Sequence, residues 1–116
     1  SAVKFRYDGK FVTNSNLLGS WKTIGVVRTI EEFTPGKRMN ARGARFAGIS
    51  FKDDGQTDSV TRLWSGDTLM DLTRYEALKI ITKVIDGEDY LFIEVGGFST
   101  RNKPDWKSNV TVMKRN

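Results

Sequence analysis

The sequence predicts an all-β fold: a single small antiparallel up-and-down β-barrel of about eight strands. Three observations carry the prediction. Apolar runs are short and alternate, and turn signals recur about every ten residues. The stretch Leu17-Leu18-Gly19-Ser20-Trp21 opens a strand with a glycine where backbones approach closely. Its Trp is large enough to plug one end of a barrel, with an indole N–H that needs a partner.

The elements follow in order. Residues 1–16 read as an N-terminal arm or edge strand, alternating at Val3, Phe5 and Tyr7, broken at Asp8-Gly9 and resumed at Phe11-Val12. Residues 17–116 form the barrel domain. Its first strand runs from Leu17 to Arg28, and period two puts Leu17, Gly19, Trp21, Thr23, Gly25 and Val27 on one inward face. Thr29 can cap a helical turn with Glu31 and Glu32 in its first turn and Pro35-Gly36 as its stop. Gly36 to Gly43 is a polar, basic loop. Ala44 to Lys52 is strand two, with Ala47, Ile49 and Phe51 on one face. A turn at Asp53-Asp54-Gly55-Gln56 leads into strand three, Thr57 to Trp64. Ser65-Gly66-Asp67 turns into a short strand four, Thr68 to Leu72. Ala77 to Ile85 is strand five. A helix is its rival, because Tyr75 to Leu78 has fair helix propensity, but the hairpin signal Ile85-Asp86-Gly87-Glu88 selects the strand. Tyr90 to Val95 is strand six, ended by Gly96-Gly97. Phe98 to Asp105 is a loop. The final strand starts at Trp106 or Lys107 and runs to Lys114, with Val110 and Val112 inward and Met113 as a further candidate.

A chain of 116 residues with a 38% hydrophobic fraction supports one modest core. The lumen is therefore expected to be small and mostly filled, with Ile49, Phe51, Ile80 and part of the 90–95 run inside. The absence of Cys excludes disulfides, thiolate metal sites and thiol redox chemistry, and leaves cytosol and periplasm equally open. The absence of His removes the usual general base and the commonest metal ligand. No base–nucleophile pair stands out, so a non-enzymatic domain without cofactor or metal is expected. No apolar run approaches the roughly 20 residues of a membrane helix, and no signal peptide shows at Ser1 to Phe11. Ser1, in place of an initiator, fits an excised domain of a larger protein.

Charge is segregated along the chain. Residues 53–94 hold ten acids against four bases, while the two ends together hold fifteen bases against four acids. If the final strand pairs with the first, this predicts a dipolar molecule. Its basic face would be built from Lys22, Arg28, Lys37, Arg38, Arg42, Arg45, Lys107 and Arg115.

The Gly19-Ser20-Trp21 strand followed by a meander resembles the lipocalin-like (calycin) barrels, whose first strand bears Gly-x-Trp. The longer set is similar to a bacterial lipocalin-like domain: Leu18 to Trp21, Ile30-Glu31-Glu32-Phe33-Thr34-Pro35, Ile85-Asp86-Gly87 and Tyr90-Leu91-Phe92-Ile93-Glu94. That domain is appended to sensor proteins of the penicillinase-regulator type and to some sigma-factor-like proteins. The likeness spans about residues 17 to 115. It implies an accessory binding or sensing domain. It also implies a last-strand Arg stacked on Trp21, a role open to Lys114-Arg115.

Candidate binding residues follow. Trp64 and Trp106 can stack a flat ligand, or serve as core plugs. Glu94 and Arg101 can form a polar pair at the barrel mouth, or an internal ion pair. Gly19, Trp21 and Arg115 are structural. Arg38, Arg42, Arg45 and Lys107 form the basic docking face, or a solvated surface. The Asp53-Asp54-x-Gln56-x-Asp58 turn carries oxygen ligands but lacks a full calcium loop. The expected partners are a small apolar ligand or another domain of the parent protein. A protein-interaction module with a filled barrel is the alternative, and a nucleic-acid-binding barrel is less favoured because no aromatic-rich motif accompanies the bases.

Overall fold

The computed structural model describes residues 11–95 and 109–116. Among them lie seven strands: β1 (Gly19–Val27), β2 (Gly48–Phe51), β3 (Arg62–Ser65), β4 (Thr68–Asp71), β5 (Glu76–Ile85), β6 (Glu88–Val95) and β7 (Asn109–Arg115). All pairings are antiparallel, in the order β2-β1-β7-β6-β5-β4-β3. Isolated bridges Phe51↔Thr57 and Gln56↔Leu63 draw β3 back towards β2. The sheet is therefore a nearly closed meander, compatible with a lipocalin-like barrel. Residues 1–10 and 96–108 lie outside the described residues. So do the proposed early strand at Val3 to Tyr7, the Gly96-Gly97 terminator and the start of the last strand.

The hairpin signals set the topology as their chemistry requires. Asp86 and Gly87 take φ of 52° and 80°, the mirror-image turn whose twist matches the flanking strands β5 and β6. The strand reading of 77–85 holds over the helical one.

The strand-one face does not run as the alternation predicts. The β1–β7 register slips between Thr23 and Gly25, leaving Ile24 as an extra residue. Trp21 and Thr23 face the interior opposite Arg115 and Met113. Past the bulge, Gly25 and Val27 face outward opposite Val112 and Val110. Val110 and Val112 also face outward rather than into the barrel, while Met113 joins the interior.

Two apolar layers result. The interior holds Leu17, Trp21, Phe46, Ile49, Phe51, Trp64, Leu69, Leu78, Ile80, Leu91, Ile93 and Met113. Ile49, Phe51 and Ile80 lie inside as expected, with Leu91 and Ile93 from strand six. Ala47 is exposed and Phe46 takes the buried place instead. The second layer lies on the outer face of β6, β7 and β1. There the Ile30–Glu32 3₁₀ turn brings Phe33 edge-on to Tyr90 and Phe92, at 4.8 and 5.5 Å between centroids. Thr29 begins that turn without a side-chain cap; Glu32 Oε1 instead accepts from the Arg28 N–H at 3.1 Å.

Strand three is shorter than Thr57 to Trp64, beginning only at Arg62. Thr57 Oγ1 donates to the Ser59 and Arg62 carbonyls, and Asp58 Oδ1 accepts from the Ser50 N–H. These local side-chain bonds replace a β-ladder.

Candidate functional site

The two ends of the barrel differ in how they are built. At one end residues 11–18 cross beneath the strands. The Phe11 ring meets Trp64 edge-on at 5.0 Å, and the Gly66 N–H donates to the Val12 carbonyl at 2.7 Å. Trp21 lies above, 1% exposed, its Nε1–H donating to the Leu17 carbonyl at 2.9 Å. The Arg115 guanidinium lies 4.2 Å from the centre of the Trp21 ring. It donates to the Leu18 and Asn16 carbonyls at 2.7 and 2.8 Å, and to Asp89 Oδ2 at 3.0 Å. Gly19 sits beneath it at φ +108°, where a side chain would be strained and would press on Arg115 Nη1. Among the described residues this end is sealed, with a recess of about 180 Å³ beside Arg115 and Val84.

The opposite end is charged and, among the described residues, open. Arg45 precedes β2, and its Nη2 lies 2.7 Å from Asp71 Oδ2 and 2.6 Å from Glu76 Oε1. Asp71 Oδ1 accepts from the Thr73 and Arg74 N–H groups, holding the β4–β5 turn. Burial pushes the Asp71 carboxyl up. The Arg45 hydrogen bond, the two backbone bonds and the Arg45 charge together outweigh it and hold the pKa below the ordinary carboxylate value. Arg62, in register with Asp71, lies 4.6 Å over the Phe46 ring, which Arg45 also flanks at 5.3 Å.

Beside this cluster lies a cleft of about 630 Å³. Charged side chains line it from Arg28, Glu31, Glu76, Lys79 and Glu94, and apolar ones from Ile30, Leu78 and Val95. Round the rim, an adjoining groove of about 600 Å³ shares Arg28 and Asn109 with the cleft.

The sequence candidates fall out differently from one another. Trp64 is not a stacking surface. It is 1% exposed, edge-on to Phe11 and Phe51, with its Nε1–H bonded to the Lys52 carbonyl at 2.8 Å. Arg45 does not belong to an exposed basic face, because its side chain is turned in between two carboxylates. Arg115 likewise serves Asp89 and backbone carbonyls, and Lys114 pairs with Glu88 at 3.3 Å. Three bases of the chain ends, Arg45, Lys114 and Arg115, thus pair with acids of the middle. Arg38 and Arg42 are exposed on the loop before β2. Glu94 is exposed on the outward side of β6, across from Lys79, and lines the cleft. Arg101, Trp106 and Lys107 lie outside the described residues. Asp71 and Glu76 were missed by sequence reasoning: only the topology brings them to Arg45.

Comparison with protein-family models, curated protein sequences and solved structures gives no match. The class defined is that of a small, nearly closed all-β antiparallel barrel. Among the described residues, no helix is long and apolar enough to cross a membrane.

Proposed function

We propose that this is a non-enzymatic binding domain, an accessory unit of a larger protein, which receives its ligand at the open end of the barrel. The observation that supports this reading is the asymmetry of the ends. One is closed by Trp21, Arg115 and residues 11–18, and the other keeps a cleft within the 300–1,000 Å³ range usual for ligand sites. The cleft mixes ionised groups with Ile30, Leu78 and Val95, which suits a ligand with an apolar body and a polar end better than a wholly apolar one. The lipocalin-like reading of the sequence points the same way.

The experiment is a thermal-shift and calorimetric titration against single-chain amphiphiles of graded length and headgroup charge. Ala77 is exposed on the cleft wall. An Ala77→Trp variant should fill the cleft and abolish a Tm rise seen with the natural chain, while leaving unliganded Tm within a few degrees. Equal responses from both proteins would move the site elsewhere and leave the protein-interaction reading.

A further inference from the structure

We infer that the groove adjoining the cleft is a second site, sharing Arg28 with the first, for a small phosphate monoester. The groove runs between the end of β1 and the loop that follows the 3₁₀ turn. Arg28, Lys37 and Arg38 line it, with Glu32 as the one acid, and Val26, Val27 and Met39 give it an apolar floor. Three cations against one carboxylate leave room for a dianion. Glu32 already accepts a hydrogen bond from the Arg28 backbone N–H. None of the ion pairs among the described residues uses Lys37 or Arg38. The guanidinium groups supply forked donors that match phosphoryl oxygens, and Lys37 adds a point charge.

The loop carrying these cations is held at two places. Met39 packs directly over Gly25: a β-carbon built there would lie 2.4 Å from Met39 Cβ. Residue 25 therefore has to be Gly for the loop to lie down. The second anchor is Arg45 between Asp71 and Glu76. Between the anchors, turns closed by Lys37 N–H to the Thr34 carbonyl and Arg42 N–H to Asn40 Oδ1 shape the backbone. A loop held twice carries the backbone of Lys37 and Arg38 in one place, and so avoids part of the ordering cost of binding. About 600 Å³ is far more than a bare phosphate needs, and the Val26, Val27 and Met39 floor suits the apolar or aromatic remainder of an ester. The recess favours a free small molecule over a bilayer headgroup.

Phenyl phosphate is the probe, titrated by calorimetry and by amide chemical shifts at low and at high salt. Wild-type protein should bind it more tightly than inorganic phosphate, with shifts centred on residues 26–40. Lys37→Glu with Arg38→Glu should weaken binding at least tenfold. Lys52→Glu with Arg74→Glu makes the same change in net charge at exposed positions away from the groove and should stay within twofold. Met39→Ala removes one anchor without touching a charge and should weaken binding several-fold. Ala77→Trp, which blocks the cleft, should leave phenyl phosphate binding intact, so the two sites stand or fall separately. Equal losses from both charge-reversal pairs would reduce the effect to net charge and overturn the site. So would an inert titration at millimolar probe. Binding to phosphatidic acid vesicles without binding to phenyl phosphate would replace it with a membrane surface.

Discussion

The sealed and open ends of the barrel both place an arginine beside an aromatic ring and a carboxylate, yet they do so to different effect. Arg115 lies on Trp21 and directs donors to two backbone carbonyls and Asp89. Arg45 flanks Phe46 and hydrogen-bonds Asp71 through a nitrogen that also lies 2.6 Å from Glu76 Oε1. At the sealed end the guanidinium ties β7 to the segment entering β1. At the open end it ties a loop to the β4–β5 turn. The first contact closes the barrel, and the second positions a rim. The difference teaches that the residue type says little until the topology supplies its partners.

The comparison can be broken most directly at Trp21. Trp21→Ala removes one of the two buried Trp side chains of the sealed end and should cost about 3–5 kcal/mol, read by urea unfolding. A loss below about 1 kcal/mol would mean that this end is closed by something other than the Trp. Arg115→Ala comes next. It frees the Leu18 and Asn16 carbonyls and uncovers the indole, and should cost about 2–3 kcal/mol. Arg115→Lys should recover only part of this, since an ammonium lacks the fork that reaches both carbonyls; full recovery would reduce Arg115 to a charge.

At the open end Asp71→Asn should cost less, about 1–2 kcal/mol near neutral pH. It should also change the shape of the acid limb. A carboxyl whose folded pKa lies below its unfolded value contributes stability above about pH 4 and loses it as pH falls through the lowered folded value. The wild-type and Asn proteins should therefore converge in stability below pH 4. Curves that stay parallel there would detach Asp71 from Arg45.

The fold was legible where the chemistry is local. Asp86-Gly87 specifies its turn by two adjacent residues, and Gly19-Ser20-Trp21 marks the first strand. The interior residues Ile49 and Phe51 follow from alternation against small or polar neighbours. Alternation fails where both faces are apolar. Val110 to Met113 is buried on both sides, so period two cannot say which face is inside. It also fails at Ile24, because an extra residue shifts the face of everything after it while the sequence still alternates. The open-end cluster was hidden for another reason. Arg45 stands in a run of loop bases that reads as solvated, and its acids lie 26 and 31 positions further along the chain. Trp64 could be assigned to a strand but not to a depth, since Phe11 and Phe51 cover it only after the arm and β2 have come together.

The place of β7 has a consequence for how such a domain is made. It comes last in chain order among the described strands, yet it sits between β1 and β6. Until residues 109–115 leave the ribosome, those two long strands each present an unpaired edge, one beside the apolar Tyr90 to Val95 run. Closure must wait for contacts spanning almost the whole chain, such as Arg115 to Leu18. Without β7 the domain is thus a sheet with two templates for intermolecular pairing, and chains truncated before residue 109 should aggregate more than the full chain.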